Sequence, residues 1–130
     1  MKNKLPKISE RERDVMTTLW REGEGLTASG VAEKGGGLSI NTVQAALRSL
    51  MKKDYIKIDE IVYSGTVLTR SYKPVVSAEE YAADQLQALQ MNVLNFSTCN
   101  FVECLQKNDE TGILGELESI IKRKREQEEE

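Results

Sequence analysis

The most informative part of the sequence runs Leu38-Ser39-Ile40-Asn41-Thr42-Val43-Gln44-Ala45-Ala46-Leu47-Arg48-Ser49-Leu50-Met51-Lys52-Lys53. It predicts one helix with two faces, because its apolar residues recur at intervals of three and four. Asn and Gln suit adenine and Arg suits guanine, so the polar face has the chemistry to enter a DNA major groove. An ordinary solvated helix face fits the stretch equally well when it is taken alone. The apolar face consists of Val43, Ala46, Leu47, Leu50 and Met51, and the polar face of Asn41, Thr42, Gln44, Ala45, Arg48 and Lys52.

Two capped helices precede this stretch and complete a helix-turn-helix unit. Ser9 and Glu12 form a capping box that opens the first helix, which ends at Gly23. Thr27 caps a short second helix, and Ser39 caps the third. The residues predicted to face the core are Val15, Met16, Leu19 and Trp20 in the first helix and Ala28, Val31 and Ala32 in the second.

The periodicity changes after Asp54 to that of a β-hairpin. Residues 55–63 are rich in β-branched and aromatic side chains, Ser64-Gly65-Thr66 forms a turn, and a second strand over 67–73 ends at a proline. A hairpin directly after a helix-turn-helix is the arrangement called a winged helix. Arg70 and Lys73 on the hairpin are candidates for contact with the DNA backbone, and solvated strand charges are an equal alternative for each.

A capping box of Ser77 and Glu80 opens a long amphipathic helical region, with breaks predicted near 95–97 and 108–109. So long a region cannot bury its apolar surface alone. Packing onto the first domain would cover that surface, but a two-fold dimer would bury it symmetrically, which we favour. The tail over 122–130 is predicted to be a frayed, solvated block of charge. The residues predicted for the dimer interface are Leu86, Leu89, Val93, Phe101, Val102, Leu105, Leu114, Leu117, Ile120 and Ile121.

The charge distribution divides the chain into the same two regions. Residues 1–76 contain 13 Lys and Arg against 9 Asp and Glu, a net charge of +4, whereas residues 77–130 contain 5 against 12, a net charge of −7. Only the positive region is suited to meet phosphates. The predicted fold is therefore mainly α with a small β-hairpin, comprising a winged-helix DNA-binding domain over 1–76 and a helical dimerisation region with a charged tail over 77–130.

The composition argues against an enzyme or a metalloprotein. The 130 residues include no histidine, the commonest general base and nitrogen ligand. We therefore expect no catalytic residues, metal site or cofactor. No apolar run approaches the about 18 residues of a membrane span and the N-terminus lacks an apolar signal core, so we expect a cytoplasmic protein without membrane insertion. In a reducing cytosol Cys99 and Cys104 are expected to be thiols rather than a disulfide.

A series of short motifs runs along the chain in this order: Ile8-Ser9-Glu10 with Val15-Met16 and Leu19-Trp20, Leu26-Thr27-Ala28-Ser29, Thr42-Val43 with Leu47, Leu50 and Lys52-Lys53, Arg70-Ser71-Tyr72 and Pro74 with Val76-Ser77 and Glu79-Glu80-Tyr81, and Asn100-Phe101-Val102-Glu103. In their order and spacing these motifs resemble the penicillinase-repressor family of bacterial transcription regulators (BlaI/MecI/CopY type). The resemblance covers about residues 8 to 121. The copper-responsive branch carries Cys-x-Cys pairs at its C-terminus, and this chain has no Cys after Cys104, so copper sensing is not expected.

The resemblance implies a homodimeric repressor that binds a palindromic operator and blocks transcription of antibiotic-resistance or similar genes. In antibiotic-responsive members, a membrane sensor-protease pathway leads to cleavage of an Asn-Phe bond in the dimer region, which is Asn100-Phe101 here. Cleavage would separate much of the dimer interface from the reading helix. The expected base contacts are Thr42, Gln44, Ala45 and Arg48, and the expected phosphate contacts are Thr27, Ser29, Ser39, Asn41, Lys52 and Arg70.

Two functions of other classes stay open on the sequence. A winged fold with low net charge also suits a module that binds another protein. A thiol-sensing regulator would use Cys99 and Cys104 instead. Salt dependence separates DNA binding from protein binding, because phosphate contacts release counterions and weaken steeply as salt rises.

Overall fold

The computed structural model describes residues 5–107 and 112–129. They form two compact units, one up to Gln87 and the other from Ala88 onwards. The predicted fold class is confirmed, since helices predominate and a small antiparallel sheet follows the helix-turn-helix. The elements in chain order are α1 (Glu10–Glu22), β1 (Leu26–Thr27), α2 (Ala28–Lys34), α3 (Ile40–Lys52), β2 (Ile56–Ser64), β3 (Val67–Pro74), α4 (Ala78–Asn92), α5 (Thr98–Lys107) and α6 (Ile113–Glu129).

Helices α1 to α3 begin at the caps that the sequence predicts. The Ser9 hydroxyl accepts from the Glu12 N–H at 3.2 Å, and the Glu12 carboxylate accepts from the Ser9 N–H at 2.7 Å, which completes the capping box. The Thr27 and Ser39 hydroxyls each accept from the N–H three residues further on, at 3.0 and 3.1 Å. Each bond satisfies an N–H that the first helical turn leaves without a partner. Local sequence alone therefore sets where these helices start.

The core of the first unit forms where the apolar stripes of α1, α2 and α3 meet the base of the sheet. The predicted core residues Ala28, Ala32, Trp20 and Met51 are only partly buried and pack around its edge. The remaining predicted residues of the three stripes are buried, which confirms the helical periodicity. The buried apolar residues are Val15, Met16, Leu19, Val31, Val43, Ala46, Leu47, Leu50, Tyr55, Ile56 and Val76.

The sheet contains three described strands in the order β1-β3-β2, one more than the sequence predicts. The additional strand is Leu26–Thr27, which pairs with Tyr72 and Ser71 of β3. A strand of two residues is too short to show the alternation of polar and apolar side chains in the sequence. It is identified only by its pairing with β3. The hairpin also starts one residue late, because Tyr55 turns into the core and its N–H donates to the Leu50 carbonyl at 3.0 Å.

A β-bulge interrupts the pairing of β2 with β3. Ile58 pairs with Tyr72 and Glu60 pairs with Ser71, so the register shifts at the intervening Asp59. The buried Ser71 hydroxyl holds the bulge, accepting from the Glu60 N–H and donating to the Glu60 carbonyl, each at 3.2 Å. The bulge changes which face of the hairpin the later residues of β2 occupy.

The first turns of α4 belong to the first unit. The Tyr81 ring lies 5.6 Å from that of Trp20 and 6.4 Å from that of Tyr55, measured between centroids. The Asp84 carboxylate accepts from the Leu5 N–H at 3.2 Å. These contacts explain why the compact unit extends into α4. The boundary of the DNA-binding domain after residue 76 stays a prediction.

The C-terminal helices follow the predicted breaks only in part. A loop over 93–97 separates α4 from α5 as predicted, and the second predicted break lies outside the described residues. The prediction of a frayed tail is wrong, because α6 continues to Glu129. Lys, Arg, Glu and Gln are strong helix formers, and opposite charges such as Lys122 and Glu126 fall four residues apart, where they attract.

Asp54 follows α3 with a φ of 60°, a left-handed conformation that favours glycine. Replacement of Asp54 by Gly is expected to raise the free energy of unfolding by about 0.5 kcal/mol, since relief of the strained backbone exceeds the added freedom of the unfolded chain. Urea denaturation measures the change. Asp54→Ala is the matched control, because it removes the charge but keeps the Cβ. Equal stabilisation by both substitutions would contradict the backbone explanation.

Candidate nucleic-acid interface

The side of α3 opposite the core is open to a ligand. Among the described residues, no acid forms an ion pair with Arg48 or Lys52, so both cations are available to an outside partner. Exposed residues along this side follow the helical repeat and therefore project in one direction. They are Asn41, Gln44, Ala45, Arg48 and Lys52.

The hydroxyl residues predicted to contact DNA have structural partners. Thr42 is half-buried, and its hydroxyl accepts from the Ser39 hydroxyl at 2.8 Å. Ser39 and Thr27 also cap α3 and α2, as described above. These three side chains therefore fix the N-terminal ends of α2 and α3. Ser29 is exposed on α2.

A cleft separates α3 from β3 and brings together cations that are distant in sequence. Gln44 and Arg48 line its helix side, and Leu68, Arg70 and Tyr72 line its strand side. The sequence predicts Arg48 and Arg70 as separate candidates, and the structure places them on one cleft. Leu68 and Tyr72 were not predicted, although the alternation along β3 places them on the face of Arg70.

Lys73, the other hairpin cation, does not join this cleft. Three positions separate it from Arg70 along β3, so it lies on the opposite face. Its ammonium forms a salt bridge of 3.2 Å with Asp59, the residue at the bulge. A Cβ on Gly25 would lie only 2.6 Å from a carboxylate oxygen of Asp59, so a side chain there would require that carboxylate to shift. We therefore leave Lys73 out of the interface.

A partly buried ion pair ties the end of α3 to the start of α1. The Lys53 ammonium donates to both carboxylate oxygens of Glu12, at 2.9 and 3.1 Å, and to the Lys7 carbonyl at 2.8 Å. The Glu12 side chain is only 7% exposed. The sequence predicts Glu12 as a capping residue but not its pairing with Lys53, because the pair joins helices that are distant in sequence. The pair fixes one end of the helix that carries Arg48.

The surroundings of Glu12, including its ion pair with Lys53, determine the pKa of its carboxyl group. Burial on its own raises the pKa of the carboxyl group, because it penalises the charged form. Hydrogen bonds from the Ser49 hydroxyl, the Ser9 N–H, the Lys53 ammonium and the Ser9 hydroxyl favour the carboxylate and outweigh burial. Together they lower the pKa from 4.5 to about 2.

The second unit presents a separate apolar groove between α5 and α6. It is lined by Val102, Leu114, Leu117 and Ile121, with charged residues at its rim. All ten residues predicted for the dimer interface are half-buried or exposed in the single chain. Exposed apolar surface of this kind marks a site of interaction with a partner.

The comparison with known protein families gives a match over both units. The family model described as penicillinase repressor matches residues 8–123. The chain belongs to the penicillinase repressor family. Membership confirms the resemblance seen in the sequence and implies a DNA-binding transcriptional repressor. No curated protein matches the chain significantly.

In this member of the family the Asn100-Phe101 bond lies in the first turns of α5. The Asn100 N–H donates to the Ser97 hydroxyl at 3.2 Å, and the Phe101 N–H donates to the Ser97 carbonyl at 3.0 Å. The rings of Phe96 and Phe101 lie 5.9 Å apart, so a hydrophobic staple brackets the capped turn. Asn100 is exposed and Phe101 is half-buried. A protease would have to unwind this turn before the backbone on either side of the bond could become extended.

The remaining candidate groups in the chain are the two cysteine thiols. Cys99 and Cys104 are both exposed on α5, and their spacing of five directs them to different sides of the helix. The Cys99 sulfur lies 4.0 Å from the Glu103 carboxylate. Within residues 5–107 and 112–129, no helix is long and apolar enough to cross a bilayer.

Proposed function

We propose that this repressor binds a palindromic operator through α3 and the wing, and that it blocks transcription of a resistance-type gene in the cytoplasm. The observation that carries the proposal is the alignment of Gln44, Arg48 and Arg70 along one open cleft. They also belong to residues 1–76, which carry a net charge of +4. The base contacts are Thr42, Gln44, Ala45 and Arg48, and the phosphate contacts are Thr27, Ser29, Ser39, Asn41, Lys52 and Arg70.

The repressor acts as a homodimer in this proposal. The apolar groove between α5 and α6 supports a second copy as the partner, because a two-fold interface uses the same surface of both chains. A dimer presents two reading helices to two half-sites, and the symmetry of the operator mirrors that of the protein. Linking two weak contacts raises the affinity without any new contact.

Release of the operator follows proteolysis of Asn100-Phe101 in this proposal, through a sensor-protease pathway. The exposure of Asn100 and its position at the start of a helix support the site, since helix ends open more readily than helix centres. Cleavage would remove Phe101 from its staple with Phe96 and detach the α5/α6 groove from the reading helix. The two half-site contacts would then be independent.

Alanine substitutions at Arg48 and Lys52 test the proposed reading face. Arg48→Ala is expected to reduce discrimination at one base pair of each half-site by about 1–3 kcal/mol, because it removes a bidentate contact to guanine. Lys52→Ala is expected to weaken binding to all sequences and to lower the salt slope by about one. Fluorescence anisotropy with operator DNA at several salt concentrations measures both effects.

Lys107→Ala provides the control, because Lys107 is exposed on α5 outside the proposed interface. It should leave affinity and salt slope unchanged. Unaltered operator recognition by Arg48→Ala would show that α3 is not the reading helix. If the chain instead binds another protein and that affinity does not fall as salt rises, the protein-interaction function is favoured.

A further inference from the structure

The outer half of the wing is apolar, exposed and uncharged. No charged residue occurs over 61–69, although 30% of the chain is charged. Ile61 is 65% exposed, Tyr63 73%, Val67 66% and Leu68 58%, so the first unit does not cover them. Exposed apolar residues grouped in this way mark an interaction surface.

The bulge gathers three of these residues on one face of the hairpin. Directly opposed residues of antiparallel strands share a face. Ile61 pairs with Arg70 and Tyr63 pairs with Leu68. Arg70 and Leu68 lie two residues apart on β3 and therefore share a face. Without the register shift at Asp59, Ile61 and Tyr63 would point to the other side. Ile61, Tyr63 and Leu68 form what we call the apolar wing face.

The apolar wing face is continuous with the proposed DNA interface. Leu68 and Arg70 line the same cleft as Gln44 and Arg48 of α3. A duplex that lies on Arg48 and Arg70 therefore approaches the face that carries Tyr63 as well. Val67 pairs with Ser64 on the opposite face and points away from the cleft.

We propose that the apolar wing face packs into the DNA minor groove beside each half-site and favours A·T pairs there. This inference rests on the proposed operator binding. Apolar side chains enter minor grooves against the sugar walls and between base steps. The 2-amino group of guanine projects into that groove and would obstruct them, whereas A·T pairs present no such group. Specificity would thus extend beyond the bases that α3 reads.

An apolar contact has a different signature from a phosphate contact. It releases no condensed counterions, so its loss lowers affinity without changing the salt slope. The double substitution Tyr63→Ser with Leu68→Ser is expected to reduce operator affinity about tenfold to a hundredfold at unchanged slope. Arg70→Ala should instead lower the slope by about one.

The experiment titrates these variants against the operator with A·T, G·C or inosine·cytosine pairs in its flanks. Inosine lacks the 2-amino group but keeps the major-groove edge of guanine, so it isolates the minor groove. The wild type is expected to bind A·T and inosine·cytosine flanks alike and G·C flanks more weakly. The double variant should bind all three alike, and circular dichroism verifies its fold.

Val67→Ser is the matched control, because it removes an equally exposed apolar residue from the opposite face of the same hairpin. It should bind as the wild type does. The inference is overturned if Val67→Ser weakens binding as much as the double variant, or if the double variant keeps full affinity. It is also overturned if affinity falls only on DNA with two adjacent operators, which would mean that the surface binds protein. Absence of operator binding by the wild type would refute the proposed function itself.

Discussion

Replacement of Leu117 by Asp is expected to lower the affinity for a palindromic operator by about a hundredfold to ten-thousandfold. Leu117 lines the α5/α6 groove and is 41% exposed in the single chain, so the change leaves the first unit intact. A carboxylate placed among these apolar side chains loses its hydration and therefore opposes dimer formation. Without the dimer, the second half-site contact loses its effective concentration.

Two measurements on the same sample test this prediction. Sedimentation equilibrium should show a monomer, and titration of DNA with a single half-site should give the affinity of the wild-type half-site contact. Leu94→Asp is the matched control, because Leu94 is 95% exposed in the loop over 93–97 and outside the predicted interface. A dimeric Leu117→Asp with full operator affinity would contradict the assignment of this groove. Protein cleaved at Asn100-Phe101 should behave as the Leu117 variant does.

Acid should destabilise the repressor in part through protonation of Glu12. A carboxyl group whose pKa is lower in the folded state stabilises the fold fully above its unfolded pKa and loses that contribution as pH falls. For Glu12 the loss runs from about pH 4.5 to about pH 2. The shift corresponds to about 3 kcal/mol. Glu12→Gln is therefore expected to destabilise the protein by about that amount at pH 7 and to flatten its stability profile in this range.

Urea denaturation at a series of pH values tests this directly. Glu10→Gln provides the control, because Glu10 lies in the same helical turn but is exposed. It should change stability by less than about 0.5 kcal/mol. If wild type and Glu12→Gln lose stability in parallel as pH falls, the ion pair with Lys53 does not act as described.

The sequence predicts the helices of the first unit well because their signals are local. Caps at Ser9, Thr27 and Ser39 and the apolar stripe of α3 each lie within one element. The short strand Leu26–Thr27 escapes prediction because its only support is a pairing with β3. The bulge at Asp59 escapes for a similar reason, since its partner Ser71 is distant in sequence.

The candidate site likewise has one part that the sequence predicts and another that only the three-dimensional packing shows. The polar face of α3 follows from helical spacing, and the structure confirms that Arg48 and Lys52 are exposed. The cleft between α3 and β3 needs three-dimensional packing, so Leu68 and Arg70 could not be assigned to it from spacing alone. The assignment of residues to the DNA contact and to the dimer interface remains a prediction, which the experiments above test.

Sequencing of genomic DNA fragments retained by the purified repressor at two salt concentrations tests the central claim most directly. The account predicts that a palindromic motif is enriched and that retention falls steeply as salt rises, because α3 and the wing contact phosphates. The genes beside the motif would identify what is repressed. Retention of nothing, or of unrelated sequences at low salt only, would contradict operator binding.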